Sequence, residues 1–253
     1  MSEIPNNISW ENLPEKYPID TSKKSLPEFY DFYNLSQDFL NVYEPSEDTF
    51  LLIDSLELEL DNLFSKSYFS NKKKITSVEL GCGNGLVSCS FLSKMSKLNP
   101  ENKIKINHYC IDINKDALNL TKNLLTKYNV DKNTIFLESD LFNAIDQNEN
   151  FDIIIFNPPY VTTDEDEYKR ALKEKDIYAA WAGGKKGSET INKFVEKLNG
   201  KINDKSIIFL LLSKENDYNF IINNLITKYD FKFELLMRKQ FKNEKLAVFK
   251  FYK

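Results

Sequence analysis

Two arginines, one histidine and three cysteines are all that the 253 residues contain of these types. Each scarcity removes a class of function. Tight duplex binding rests on basic stripes and on arginine contacts to bases and phosphates. Here Arg170 and Arg238 are the only arginines, the remaining positive charge is lysine, and the formal net charge is −4. Nucleic acid is therefore not an expected partner. A metal site built by this chain alone would need clustered ligands, but His108 stands alone and Cys82, Cys89 and Cys110 form no CxxC pair. Such a scattered, odd set of thiols is expected to stay reduced inside the cell. The opening "MSEIPNNISWENLPEKYPID" is polar and has no apolar core, so no signal peptide is expected. No apolar run approaches the length that spans a bilayer, which predicts no membrane association. The location that follows is cytoplasmic, with the nucleus also open. Glycine is scarce as well, with seven residues, and the richness in lysine, asparagine and isoleucine around it resembles codon bias rather than function.

What is present is enough for a core: hydrophobic residues make up 42% and aromatics 13%. Residues 1–40 mix prolines, aromatics and polar residues without a period and read as an N-terminal extension that packs partly on the domain. Residues 41–253 read as one domain. Ser46 followed by Glu47 and Asp48 is a helix start, with Phe50, Leu51, Leu52, Ile53 and Leu56 turned inward. "FSKSYFSNKKK" reads as a solvated linker. Strands are then expected at 75–80, 104–111, 134–138, 151–156, 206–213, 231–237 and 246–251. Helices are expected near 86–97, 115–128, 189–198 and 217–228. Strands alternating with helices imply βαβ units. The fold class is α/β: a seven-stranded, mostly parallel sheet sandwiched by helices, with an antiparallel pair at its end.

"VELGCGNGLVS" puts Glu79 at a strand end, then Gly81, Gly83 and Gly85, then a helix. A glycine turn between strand and helix lets a ligand approach backbone amides where open α/β sheets bind their ligands. The dinucleotide pattern GxGxxG fails at Leu86, and no GK[ST] phosphate loop exists. A nucleoside ligand without a pyrophosphate fits better. Asp112 ends the second strand, where a carboxylate can accept two ribose hydroxyls; Asp140 follows the third, where it can accept an exocyclic amine. Acids after strands are common turn residues, so each alone is weak. Glycine turn, Asp112, Asp140 and Asn157 after four successive strands form the layout expected for S-adenosylmethionine.

"FDIIIFNPPY" runs an apolar strand straight into Asn157, Pro158, Pro159 and Tyr160. Methylating a planar amide or aromatic amine needs two fixed acceptors for its two N–H groups, so that the nitrogen lone pair faces the methyl donor. The Asn157 side-chain oxygen is one, and the Pro158 backbone carbonyl is available as the other. The prolines fix the φ angles of the loop, and Tyr160 offers a flat face. The same geometry suits a glutamine side chain or adenine N6, and a protein lysine, as on a histone tail, is a further alternative. The acidic balance and the scarcity of arginine argue against adenine in DNA. A non-catalytic scaffold would not need this complete set.

"YEPSEDTF", "ELGCGNGLVS", "IDIN", "FNPPYV", "AAWAGGKKG" and the tail "LLSKEN…LAVFKFYK" together resemble the eukaryotic HemK-like protein N5-glutamine methyltransferases, from Asn41 onward. The resemblance implies a Rossmann-like class I S-adenosylmethionine-dependent fold. It implies that Thr49 contacts the methionine carboxylate of the cofactor and that Glu79, Gly81, Asp112, Asp140, Leu141 and Asn157 line the rest, with Gly83 in the same turn. It implies the glutamine of a GGQ tripeptide in a class I translation release factor as substrate. It also implies a small zinc-binding activator subunit that pairs with an edge strand, for which Asn133 to Ser139 is the candidate. "AAWAGGKKGSET" reads either as a substrate-side loop or, through Trp181, as a core anchor, with Gly183, Gly184 and Gly187 marking a tight turn. "DEDEY", Asp164 to Tyr168, reads as solvated.

Overall fold

The computed structural model describes residues 8–18, 29–34, 37–66, 68–69, 71–241 and 244–253. Helix α1 (Glu47–Ser65) precedes the sheet; the regular part then runs β1 (Lys74–Leu80), α2 (Leu86–Leu98), β2 (Lys105–Asp112), α3 (Lys115–Lys127), β3 (Thr134–Glu138) and β4 (Phe151–Phe156). It continues through α4 (Glu165–Glu174), α5 (Glu189–Lys197), β5 (Ile202–Ser213), α6 (Tyr218–Tyr229), β6 (Lys232–Phe241) and β7 (Glu244–Tyr252). The seven strands lie in the order β3-β2-β1-β4-β5-β7-β6. β1 to β5 run parallel to one another, and β7 runs antiparallel between β5 and β6. Each expected strand is therefore present, and the "NTIFLES" segment is an outer edge, as expected.

Both faces of the central strands are covered, which is why they read as continuous apolar runs rather than alternating ones. β4 is buried along its whole length. One core joins Leu52, Leu56 and Leu60 of α1 with Phe91 of α2 and Leu124 of α3; the other joins Phe194 of α5 with Ile221 and Leu225 of α6.

One expectation fails here and one is incomplete. "FSKSYFSNKKK" is not simply a solvated linker: Phe69 is 1% exposed and packs edge-on to Tyr68 at 5.0 Å. The acids of "DEDEY" are solvated, with Asp164, Glu165 and Asp166 exposed, but the run is also the start of α4, a helix not expected there. Asp164 accepts from the Glu167 N–H at 2.8 Å as N-cap, three acids fill the first turn, and Tyr168 is buried. Acids at a helix N-terminus offset its positive dipole end, and the short apolar stripe left little periodicity to detect.

The described part of the N-terminal segment packs firmly. Trp10 is buried edge-on against Tyr218 and Phe249, and Arg238 is held by Glu15 at 2.8 Å. Tyr33 donates to the Asn84 carbonyl at 3.0 Å, directly on the glycine turn.

Candidate active site

The register of the sheet assembles the site. Leu80 is paired with Ile111 on one side and with Phe156 on the other. Gly81, Asp112 and Asn157 therefore leave three adjacent strands at one level. β1 has β2 and β4 as its neighbours, so the chain order reverses here, where open α/β sheets form their ligand crevice. The crevice is lined by Thr49, Glu79, Gly81, Gly83, Asp112, Asp140, Leu141, Asn157 and Pro159. Asp48, Val42, Tyr43, Leu172 of α4 and Ala180 complete the wall. Tyr160 lines a second, outer cavity with Tyr43, Asp48, Trp181 and Phe241. Pro158 is buried and lines neither.

The glycine turn is fixed from below and from the side. The Gly83 N–H donates to Asp112 Oδ2 at 2.9 Å, and the Asn114 N–H to Asp112 Oδ1 at 2.8 Å. A carboxylate has about four lone-pair sites, so two remain for a ligand's hydroxyls. Burial raises the Asp112 carboxyl above its ordinary value, against the pull of these N–H donors. Gly85 precedes α2 with φ 86°, and a Cβ there would lie 2.7 Å from Thr121 Cα. Glycine is required at that point.

Glu79 is 2% exposed, and burial raises its carboxyl well above the usual range. The Ser88 hydroxyl donates to it. Ser88 also meets His108 Nε2 at 2.8 Å, and His108 Nδ1 meets Ser77 Oγ at 2.9 Å. His108 is fully buried, so the one histidine serves as an internal hydrogen-bonded link under the crevice. Asp140 is half-exposed, with Lys197 at 3.9 Å.

At the NPPY loop, the Asn157 Nδ2 group donates to Asp48 Oδ2 at 3.0 Å, and the Tyr160 hydroxyl donates to the same oxygen at 3.4 Å. Asn157 Oδ1 is buried and has no hydrogen-bond partner among the described residues. Buried acceptors are normally satisfied, so this oxygen points to a donor on a bound molecule. Burial and the Asp48 charge raise the Tyr160 phenol far above its ordinary value, so it stays a donor and is no base. "AAWAGG" runs beside the loop: Val161 N–H donates to the Trp181 carbonyl at 3.0 Å and Gly183 N–H to the Val161 carbonyl at 2.8 Å. Trp181 is not a core anchor; it is part-exposed on the outer cavity.

Sequence reasoning passed over three residues. Asp48 looked like an ordinary first-turn acid of α1. Asn216 donates to the Tyr160, Lys186 and Gly187 carbonyls at 3.0, 3.1 and 2.9 Å, tying the NPPY loop to the glycine turn before α5. Tyr43, in a stretch without periodicity, reaches both cavities. Asp48 and Tyr43 lie in the quoted "YEPSEDTF" and Asn216 in "LLSKEN", but only Asp48 had a local cue of its own, since an acid one residue before Thr49 on the same first turn shares its surroundings.

Three carboxylates around a glycine turn at the switch point, with an open acceptor on an NPPY loop, define a class I S-adenosylmethionine-dependent methyltransferase. The residues fit that cofactor: it has hydroxyls and amines to donate to Asp112, Asp140 and Glu79, and the crevice offers no phosphate cradle. Solved structures agree on the fold alone. A ribosomal protein L11 methylase from Lactobacillus delbrueckii subsp. bulgaricus superposes with a TM-score of 0.52, 10% identity and coverage of 84% of this chain and 82% of that one. The methyltransferase domain of METTL16 gives 0.51, 12%, 83% and 84%. Residues 61–178 match the methyltransferase small domain family model. The human methyltransferase HEMK2 is 31% identical, over 85% of this chain and 91% of that one. The eRF1 methyltransferase catalytic subunit mtq2 of Schizosaccharomyces pombe is 28% identical, over 86% and 91%. A release factor glutamine methyltransferase of Aquifex aeolicus is 29% identical, over 63% and 53%. The chain belongs to the HemK-like protein N5-glutamine methyltransferases.

Proposed function

We propose that this enzyme transfers a methyl group to the side-chain nitrogen of the GGQ glutamine in a class I translation release factor. The buried Asn157 Oδ1 with no protein partner is the observation that carries the reading. It is a preorganised acceptor for one N–H of a planar amide, and the Pro158 carbonyl is assigned the other. With both hydrogens held, the nitrogen lone pair is directed out of the amide plane towards the methyl position. Tyr160 supplies a flat face to the amide. S-adenosylmethionine supplies the electrophilic methyl carbon. Thr49, Glu79, Asp112, Asp140 and Leu141 are assigned to holding it. The amide nitrogen takes the methyl and then gives up one proton, so no strong base is needed.

The printed names of the fission yeast and Aquifex relatives support the release-factor substrate, and the words "catalytic subunit" support a heterodimer. The partner assigned by resemblance is a small zinc-binding activator. Among the described residues β3 is an outer edge of the sheet with Ile135 exposed, which supports strand pairing there. The buried thiols of Cys82 and Cys110 support a reducing compartment, the cytoplasm or nucleus.

The test is a transfer assay read by mass spectrometry, with the purified chain, S-adenosylmethionine and a release factor, with and without a co-expressed activator. A gain of one methyl on the GGQ glutamine, absent when that glutamine is changed to alanine, is expected. Cofactor binding without transfer to that glutamine would overturn the substrate assignment.

A further inference from the structure

Asp48 has one carboxylate facing four donor groups from three residues. Its Oδ1 takes the Thr49 N–H at 2.7 Å and lies 3.4 Å from the Thr49 hydroxyl; its Oδ2 takes Asn157 Nδ2 and the Tyr160 hydroxyl. The side chain is 5% exposed and lines both cavities, so it stands at the joint between the crevice and the outer cavity. An acid in the first turn of a helix is commonly explained by the helix dipole. That explanation leaves out the direction of Oδ2, which is aimed 109 residues along the chain at the loop that faces the substrate.

A primary amide is nearly symmetrical in shape, and only its hydrogen-bond partners decide which end points where. A carboxylate is acceptor-only, so it admits the NH2 end of Asn157 and rejects the oxygen. The oxygen must then face the other way, where it is buried and unpartnered. We propose that Asp48 is a positioning residue that sets the Asn157 amide, so that an acceptor rather than a donor meets the substrate nitrogen. Resting on the reading that Asn157 Oδ1 accepts a substrate N–H, this makes Asp48 a determinant of which substrates are admitted: groups that bring an N–H, and not groups that bring a bare acceptor. Through Thr49 the same carboxylate ties the methionine-side wall to the acceptor side.

The test is an exchange of the pair. Asp48→Asn keeps the shape; its oxygen stays with the Thr49 N–H, and its NH2 faces Asn157. Two NH2 groups then oppose each other, and Asn157 turns over. Turnover on the release-factor glutamine is expected to fall at least about 100-fold, with S-adenosylmethionine affinity within about threefold of the parent. Adding Asn157→Asp makes the pair complementary again with the roles reversed, a donor at 48 and an acceptor at 157, with a second oxygen left for the substrate. At least a tenfold recovery over Asp48→Asn is expected, which a purely structural role for Asp48 would not produce. Parent-like turnover of Asp48→Asn, or a double variant no better than the single one with cofactor binding intact, would overturn the proposal. If the parent itself leaves that glutamine unmethylated, the substrate reading fails separately. The pairing is then read in 15N-labelled protein from the Asn157 side-chain amide signals, assigned by their loss in Asn157→Asp. A large shift of both proton signals in Asp48→Asn supports the proposal, and unmoved signals overturn it.

Discussion

Lys250 of β7 and Glu59 of α1 form an ion pair at 2.7 Å, with side-chain exposures of 7% and 0%. Lys16 adds contacts to Glu59 at 2.9 Å and to Glu234 at 2.7 Å, and Lys250 reaches Glu234 at 2.8 Å. Two ammonium groups and two carboxylates thus alternate, and the Tyr17 hydroxyl donates to Glu59 at 2.8 Å. Removing one partner of a buried pair leaves the other charge uncompensated, at a cost of about 3–5 kcal/mol. Glu59→Ala is expected to lose that much, read as a lower urea midpoint at pH 7. A midpoint equal to the parent's would refute it.

The same cluster has a pH signature at Glu234. Burial pushes its carboxyl up, but the hydrogen bonds from Lys16 and Lys250 outweigh this and hold it at about 2, against an ordinary 4.5. A carboxyl depressed in the folded state contributes stability above its unfolded value, and the contribution is lost as pH falls through the folded one. The gap in unfolding midpoint between the parent and Glu234→Gln should be full at pH 6 and should close between pH 4.5 and 2. A gap that stays constant across that window would remove Glu234 from the cluster's energetics.

Asp112 and Asn157 leave strands on either side of β1 at one level but are assigned different work. Hydrogen bonds to charged groups contribute roughly 1.5–3 kcal/mol, about 10- to 100-fold in affinity. Asp112→Ala should weaken S-adenosylmethionine binding by that factor, measured by calorimetry. Asn157→Ala should nearly abolish transfer and leave binding largely intact. Equal losses of binding in both variants would show that the division of roles is wrong.

The sheet was readable because its strands are apolar on both faces and are punctuated by glycine turns and charged helices. The line of Gly81, Asp112, Asp140 and Asn157 followed from the same pattern, whereas the edge position of β3 came from the family resemblance. α4 escaped because ten residues with four acids show little apolar stripe, although Asp164 with Glu167 three residues later is a capping signal. Phe69 escaped because lysines surround it in sequence, while its ring faces the core. Asp48 and Asn216 act through contacts 109 and 56 residues away along the chain, and no local period can announce such partners.

Ser88 tests the buried link beneath the crevice. Its hydroxyl donates to Glu79 and meets His108 Nε2, so Ser88→Ala takes a hydrogen-bond partner from two buried polar groups at once. Each unsatisfied group costs about 1–3 kcal/mol. The variant should unfold at clearly lower urea concentration and should bind S-adenosylmethionine more weakly, because Glu79 is freed to turn. Parent-like stability together with parent-like affinity would show the link to be incidental.

Gly187 lies far from the cofactor-binding residues in sequence, but it bounds the NPPY loop. Its φ is 62°, and a Cβ placed there would lie 1.8 Å from the Tyr160 carbonyl oxygen. No side-chain rotation relieves a clash with backbone, so Gly187→Ala must move either the turn before α5 or the loop. The Asn216 side chain clamps both by donating to the Tyr160 and Gly187 carbonyls, so a shift on one side is passed to the other. Displacing a reacting group by about 1 Å can cost on the order of 100-fold in rate. Gly187→Ala should therefore lower kcat by that order while the affinity for S-adenosylmethionine stays close to the parent's, because the glycine turn, Asp112 and Thr49 are untouched. If affinity falls as far as kcat, the strain has spread into the crevice. If neither changes, the turn is softer than its packing indicates, and the NPPY loop does not depend on it.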